Sequence, residues 1–127
     1  MLLDLDNFKL INDQHGHLAG DEVLRRFAEQ LRAALRQSDI LCRWGGEEFI
    51  LLLKNTDRHA AHELAEKLRQ YCAAQRYPVG DETLQVTVSL GLSQWQPGEA
   101  LHDLLGRTDR ALYRAKQGGR DRVCEEH

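Results

Sequence analysis

The sequence predicts an α+β (mixed α/β) fold in which helices pack on a central sheet, and three observations support it. Short apolar runs typical of strands alternate with amphipathic helical stretches, but without the strict strand–helix repeat of a parallel α/β fold. Gly45-Gly46 lies between two such runs, as expected for a mid-chain β-hairpin. The 127 residues are 42% hydrophobic and 29% charged, a composition that suits one domain over 1–127 with its own core.

The chain begins with a predicted strand over Leu2–Leu5 ("LLDL"), an apolar run of the length of a buried strand. Asp6 is expected to cap a short helix that extends to about Asp13, and "HGHLAG" is expected to form a turn. A longer helix is predicted over 21–37, because apolar side chains recur on one face and arginines lie opposite. That face comprises Val23, Leu24, Phe27, Leu31 and Leu35.

The middle of the chain predicts the hairpin and a third helix. The hairpin strands are expected over Ser38–Trp44 and Glu47–Lys54, with Gly45-Gly46 as a two-residue turn because both glycines tolerate φ > 0. Asp57 is expected to cap the helix that follows. The apolar face of this helix comprises Ala61, Leu64, Ala65, Leu68 and Cys72.

The last third of the chain predicts a loop around 78–80 and then a strand over Leu84–Ser93, where apolar and polar residues alternate. A final helix is predicted over 101–115 from its periodic apolar positions, with Gly118-Gly119 at its end. A short terminal strand includes Val123, which brings the expected number of strands to five.

Composition excludes several classes of function. The net charge of −3 gives no general attraction to nucleic acid or to an anionic membrane, so neither is expected as a partner. No apolar run has the length of a membrane span. The three cysteines are odd in number and far apart, which argues against a disulfide framework or a zinc site. We therefore expect a cytoplasmic location, either alone or as the cytoplasmic part of a larger, even membrane-bound, sensor.

Carboxylates at two strand ends raise the possibility of a metal site. Asp4 lies near the end of the first strand, and Glu47 lies at the mouth of the hairpin. If these strands are neighbours, the two acids meet at one sheet edge and could bind Mg²⁺, which commonly takes one or two protein carboxylates plus substrate phosphates. Glu48 follows directly and should point to the other face. The alternative is that the hairpin mouth is acidic only for solubility.

Basic residues near the end of the last helix could bind phosphate. Lys116 and Arg120 are four residues apart in "YRAKQGGRDR", and Lys9 could add to the same cluster. The alternative is that these cations only complement the helix macrodipole.

Five blocks, in order along the chain, resemble the GGDEF domain of diguanylate cyclases. They are "DLDNFKLIND", "HGHLAGDEVL", the signature "GGEEF", "VTVSLGLS" and "TDRALYRAKQGGRDRV". The resemblance implies a nucleotidyl-cyclase-like fold, with a central, mostly antiparallel sheet of about five strands flanked by helices and the signature on a β-hairpin. The family domain normally begins earlier, with a helix and a D-x-L-T-x-L-x-N-R-R stretch, so the chain is expected to be N-terminally truncated relative to the family.

The resemblance also implies roles for the acidic residues. Asp4 and Glu47, with the backbone carbonyl of Leu5, would hold the catalytic Mg²⁺ (or Mn²⁺). Glu47 would also assist deprotonation of the attacking 3′-hydroxyl, and Glu48 would be a second acidic contact near the metal.

A second set of residues is implied to bind GTP. Asn12 and Asp21 would read the guanine, and Phe8 would also contact the substrate. Lys9, Lys116 and Arg120 would hold the triphosphate. Gly45 and Gly46 would let the backbone approach the nucleotide where a Cβ would collide.

The implied activity is condensation of two GTP into cyclic di-GMP and pyrophosphate, between two domains of a homodimer. Arg36 and Asp39 match the family's R-x-x-D site for inhibition by product, at the expected offset before Gly45, with Lys67 or Arg69 as a candidate third residue. A sensory or regulatory domain is expected on the N-terminal side. The competing hypothesis is a catalytically inactive module that binds GTP or cyclic di-GMP.

Overall fold

A computed structural model of the chain describes residues 1–126. These residues form four helices and seven strands, in the order β1 (Leu2–Leu5), α1 (Phe8–His15), α2 (His17–Ala34), β2 (Ile40–Gly45), β3 (Glu48–Leu52), α3 (Arg58–Ala74), β4 (Tyr77–Val79), β5 (Glu82–Leu84), β6 (Val88–Ser93), α4 (Leu101–Gln117) and β7 (Val123–Glu126). None of these helices is long and apolar enough to cross a membrane.

The central sheet has the strand order β2-β3-β1-β6-β7, and β4 and β5 form a separate hairpin. The pairings β2–β3, β3–β1 and β1–β6 are antiparallel, and β6–β7 is parallel. The expected fold class, a mostly antiparallel five-stranded sheet flanked by helices, is therefore confirmed. β1 comes first in the described chain but lies in the middle of the sheet.

Helices cover both faces of the sheet. The apolar side chains of alternate strand positions pack on α2 and α3, where the Phe27 and Phe49 rings lie 5.3 Å apart. On the opposite face, Gly91 of β6 lies against the backbone of α4. A Cβ at Gly91 would lie 2.5 Å from both the Thr108 carbonyl oxygen and the Leu112 amide nitrogen. This close approach places the end of α4, with Lys116, beside the end of β1.

The predicted cap of the first helix is wrong. α1 begins at Phe8, and its N-cap is Asn7 in a left-handed conformation with φ 58°. Asp6 is instead buried, with 3% of its surface exposed, and accepts hydrogen bonds from other parts of the chain. The predicted turn "HGHLAG" is also wrong, because α2 already begins at His17. Leu18 in its first turn is 87% exposed, so no apolar periodicity marks this turn as helical.

The predicted hairpin is confirmed, but its turn is one residue further along. Gly45 still pairs with Glu48 after a bulge, so the two-residue loop is Gly46-Glu47. Gly46 has φ 34°, and the Arg43 Nε donates a hydrogen bond to its carbonyl oxygen at 2.9 Å. The predicted side-chain cap is confirmed at Asp57, which accepts from the Ala60 amide at 2.8 Å.

Two further boundaries differ from the prediction. The expected strand over Leu84–Ser93 is two strands, because β5 ends at Leu84 and β6 begins at Val88. The expected loop around 78–80 belongs largely to the β4–β5 hairpin, in which Pro78 pairs with Thr83.

Candidate active site

Three carboxylates gather at the end of β1. Asp4 lies directly opposite Glu48 in the β1–β3 pairing, so these two side chains share one face of the sheet. Glu47 lies in the hairpin loop, and its carbonyl oxygen accepts a hydrogen bond from the Leu5 amide at 3.3 Å. Because Glu47 lies in a loop, strand alternation does not separate it from Glu48 in the way the sequence suggested.

The electrostatics of this cluster are dominated by burial. Burial raises the pKa of Asp4, against the opposing effect of the Lys116 ammonium, and the charges of Glu47 and Asp6 raise it further. Burial also raises the pKa of Glu48, and nearby Asp4 adds to the effect. Burial and mutual repulsion therefore both disfavour the charged carboxylates, and the Lys116 ammonium opposes this effect.

The Lys116 ammonium lies among the oxygens at this point. Its Nζ is 2.8 Å from Asp6 Oδ1 and 3.1 Å from Asp4 Oδ1. It also lies 3.4 Å from the Leu5 carbonyl oxygen and 3.5 Å from that of Asp4. Lys116 was predicted only to bind phosphate, so its contact with the carboxylates of Asp4 and Asp6 was not anticipated from the sequence.

Asp6 accepts four hydrogen bonds, from Lys116 and from three other groups of the chain. Its Oδ1 accepts from Ser89 Oγ and Lys116 Nζ, and its Oδ2 accepts from Thr87 Oγ1 and the Asp121 amide. Burial alone would raise the pKa of Asp6, but these hydrogen bonds outweigh it and hold the pKa below its ordinary value. Asp121 itself has a left-handed backbone with φ 44°, and its hydrogen bond to Asp6 supports that turn.

An open cavity of about 580 Å³ lies beside this network. Seven of the predicted site residues line it: Asp4, Leu5, Phe8, Lys9, Glu47, Lys116 and Arg120. The structure thus brings together the predicted metal ligands and all three predicted phosphate-binding cations, although they come from the beginning, the middle and the end of the chain.

The predicted guanine-reading pair lies where α1 meets α2. Asn12 packs against Gly20, where a Cβ would lie only 1.9 Å from the Asn12 Oδ1. Asp21 follows Gly20 in the chain and is exposed. Among the buried side-chain nitrogen and oxygen atoms of residues 1–126, Asn12 Oδ1 is the one without a hydrogen-bond partner. An unpaired buried acceptor of this kind costs about 1–3 kcal/mol.

The signature glycines have free space beside them. A Cβ on Gly45 or Gly46 would meet no protein atom within 4 Å. Packing within the chain therefore gives no steric reason for glycine at either position, and the positive φ applies to Gly46 alone.

The two residues of the predicted product site, Arg36 and Asp39, lie in a turn and are hydrogen-bonded to each other. The Arg36 amide donates to Asp39 Oδ2 at 2.9 Å, and its guanidinium donates to Asp39 Oδ1 at 3.1 Å and to Thr56 Oγ1 at 2.8 Å. The Asp39 side chain is only 1% exposed, whereas that of Arg36 is 58% exposed. No hydrogen bond or ion pair within residues 1–126 joins Arg36 to Lys67 or Arg69. Lys67 is exposed on α3, and Arg69 pairs with Glu66 and Asp121.

The donor set fits Mg²⁺ better than a transition metal. No group of three or more His, Cys, Asp or Glu side chains within residues 1–126 is arranged to hold a metal. The oxygens of Asp4 and Leu5, with Glu47 on the same cavity, are hard ligands that leave positions for phosphate, as Mg²⁺ sites commonly do. The lysine ammonium beside the first two oxygens shows that the arrangement accommodates a cation.

Sequence reasoning missed the role of Asp6. It assigned this residue to a helix cap, because a lone aspartate before a helical pattern commonly has that role. The available signal was the spacing of Asp4 and Asp6 around Leu5, which places both acids on one side of an extended segment.

Comparisons with known proteins agree with this geometry. A family model described as "Diguanylate cyclase, GGDEF domain" matches residues 1–122. The chain is 48% identical over 122 residues to the diguanylate cyclase DgcP of Pseudomonas aeruginosa, a match that covers 96% of this chain and 18% of that protein. It spans between 28% and 41% of the length of further curated relatives.

Solved structures give the same result. The active GGEEF domain of a diguanylate cyclase from Vibrio cholerae is similar with a TM-score of 0.90 and 40% identity, over 99% of this chain and 80% of that one. The GGDEF domain of DgcB from Caulobacter crescentus, in complex with c-di-GMP, is similar with a TM-score of 0.92 and 33% identity, over 98% of this chain and 74% of that one.

Proposed function

Because the chain belongs to the family of diguanylate cyclase GGDEF domains, we propose that it condenses two GTP molecules into cyclic di-GMP and pyrophosphate. The observation that supports this most directly is the cavity at the end of β1, where predicted metal-binding oxygens face three cations suited to a triphosphate. Residues 1–127 would act as one catalytic domain. GTP is a cytoplasmic metabolite, so we place the domain in the cytoplasm.

The acidic residues would prepare the attack. Asp4, Glu47 and the carbonyl of Leu5 would hold Mg²⁺ or Mn²⁺, which neutralises phosphate charge and lowers the pKa of a hydroxyl near it. The Glu47 carboxylate would accept the proton of the 3′-hydroxyl. The 3′-oxygen would then form a bond to the α-phosphorus of the other GTP as the bond to pyrophosphate breaks. The reciprocal attack would close the ring and release the second pyrophosphate. Glu48, whose pKa is raised, lies close enough to Asp4 to add to the negative field.

The remaining residues would bind and orient GTP, which supplies much of the rate in transfers of this kind. Lys9, Lys116 and Arg120 line the cavity and would bind the triphosphate. Asn12 and Asp21 would read the guanine edge, Asn12 through its amide and Asp21 through its exposed carboxylate. The open space at Gly45 and Gly46, along with Phe8 on the cavity wall, would be filled by the nucleotide.

One such cavity would hold one GTP, so the reaction would require two domains face to face as a homodimer. The rate would then rise with the square of protein concentration while dimerisation is weak. The product would bind at the exposed guanidinium of Arg36, which Asp39 holds in position, and Lys67 would be a further contact. Product bound there would inhibit the condensation of GTP. A sensory or regulatory domain on the N-terminal side would control the pairing of domains.

The test is incubation with GTP and Mg²⁺ at increasing protein concentration, with cyclic di-GMP measured by chromatography. Glu47→Gln should abolish product formation and preserve cyclic di-GMP binding. Glu63→Gln is the matched control, because Glu63 is exposed on α3, pairs with His59 and does not line the cavity. If the unaltered domain forms no product even at high concentration but binds cyclic di-GMP, the domain is a binding module and the proposed activity is wrong.

A further inference from the structure

We propose that Lys116 is a resident cation of the metal site, one that occupies the metal-binding oxygens until divalent metal and triphosphate arrive together. This inference rests on the proposed function, because the metal in question is the one that serves GTP condensation. It assigns Lys116 a second role, as a competitor of the metal, in addition to its proposed contact with phosphate.

The position of the ammonium supports this role. Lys116 Nζ lies within 3.5 Å of four oxygens, which belong to Asp4, Leu5 and Asp6. An ammonium has only three N–H donors, so the four oxygens surround it as a cage rather than as one partner for each proton. The carboxylate of Asp4 and the carbonyl of Leu5 are also the oxygens proposed to hold the metal. A divalent ion on these oxygens would be strongly repelled by an ammonium at the same place.

The contacts of Lys116 also indicate how it leaves. Its shortest contact is to Asp6, at 2.8 Å, and Asp6 is not among the proposed metal ligands. Lysine has a flexible four-carbon stem. Lys116 can therefore give up Asp4 and Leu5 while Asp6 still holds it, and phosphate oxygens in the adjoining cavity replace the contacts it loses.

Metal and nucleotide would consequently bind cooperatively. The metal alone must displace the ammonium from Asp4 and Leu5 with nothing to replace those two contacts, whereas triphosphate gives the ammonium new partners. By linkage, each ligand then raises the affinity for the other by the same factor. The affinity of the site for divalent metal would therefore be low without GTP and higher with GTP bound.

The experiment measures binding of Mn²⁺ alone, without nucleotide, by the electron paramagnetic resonance signal of free Mn²⁺. Lys116→Met should bind Mn²⁺ about 10- to 100-fold more tightly than the unaltered domain, since charge-assisted hydrogen bonds no longer have to be broken. Lys116→Arg retains a cation and should show no such gain. Lys9→Met is the matched control, because it removes a positive charge from the same cavity without vacating any oxygen. It should change Mn²⁺ affinity by no more than about threefold.

An equal or weaker Mn²⁺ affinity in Lys116→Met, or the same gain in Lys9→Met, would overturn the proposal. Thermal melts establish that each variant folds. If Lys116→Met does not fold, Lys116→Gln replaces it with the same expected gain, since the amide keeps a donor for Asp6. Cyclic di-GMP formation by the unaltered domain is measured separately. Its absence would contradict the proposed function and leave the Mn²⁺ comparison to decide the role of Lys116.

Discussion

Replacing Gly91 with alanine is expected to lower the free energy of unfolding by about 1–3 kcal/mol, because β6 and α4 leave no room for a methyl group. The new Cβ would lie 2.5 Å from the Thr108 carbonyl oxygen and from the Leu112 amide nitrogen. These are backbone atoms, so no side-chain rotation relieves the clash. Ordinary contact begins at 3.4 Å, so the strand and the helix must separate by about 0.9 Å to accept the methyl group.

Thermal unfolding followed by circular dichroism measures this effect. For a domain of this size, a loss of about 2 kcal/mol lowers the Tm by roughly 5–10 °C. Gly106→Ala is the matched control on the same helix, because its Cβ would meet only the Arg110 side chain at 3.8 Å. Alanine inside a helix is favoured over glycine by about 0.5–1 kcal/mol, so this control should raise the Tm. The reasoning is refuted if Gly91→Ala melts at or above the temperature of the unaltered domain.

Three further predictions concern single side chains. Asp6→Asn should be less stable at pH 7. Since the pKa of Asp6 is lowered in the folded state, its contribution is complete above about pH 4 and is lost as the pH falls through that lowered pKa. Urea unfolding across pH should therefore show the difference vanish in strong acid, whereas a constant difference would contradict the charge argument. Asp57→Ala should lower the unfolding free energy by about 0.5–2 kcal/mol, because the Ala60 amide loses its cap, and Asp57→Ser should restore most of it. Arg36→Ala should remove the slowing of the cyclase reaction as cyclic di-GMP accumulates, and unchanged inhibition would show that Asp39 and Arg36 only brace a turn.

The parts of the fold that were predictable from sequence are those with a strong local pattern. The apolar faces of α2 and α3 follow from side chains that repeat every three or four residues, and all of Val23, Phe27 and Leu68 are buried. The hairpin was signalled by Gly45-Gly46 between two apolar runs. The loop lies one residue further along than predicted, because a bulge at Arg43/Gly45 shifts the register of the two strands. A bulge of this kind cannot be predicted from the Gly-Gly dipeptide alone.

The parts that were not predictable depend on contacts between distant residues. The spacing of Asp4 and Glu47 suggested a metal site only on the assumption that β1 and β3 are neighbours, which the pairing of Asp4 with Glu48 now supports. Nothing near Asp6 in the sequence reveals that Ser89 and Lys116 will reach it. The resemblance to a known family supplied the candidate residues, but not the contact between Lys116 and the proposed metal-binding oxygens.

The link between Asp6 and Lys116 has a consequence for how the protein is made. The two residues are 110 positions apart, so the ribosome synthesises Asp4 and Asp6 long before Lys116 and Arg120, which complete the pocket. β1 also cannot pair with β6 until most of the chain has been synthesised. Contacts of such long range slow folding. The cavity at the end of β1 therefore takes its final form only when synthesis of residues 1–126 is almost complete.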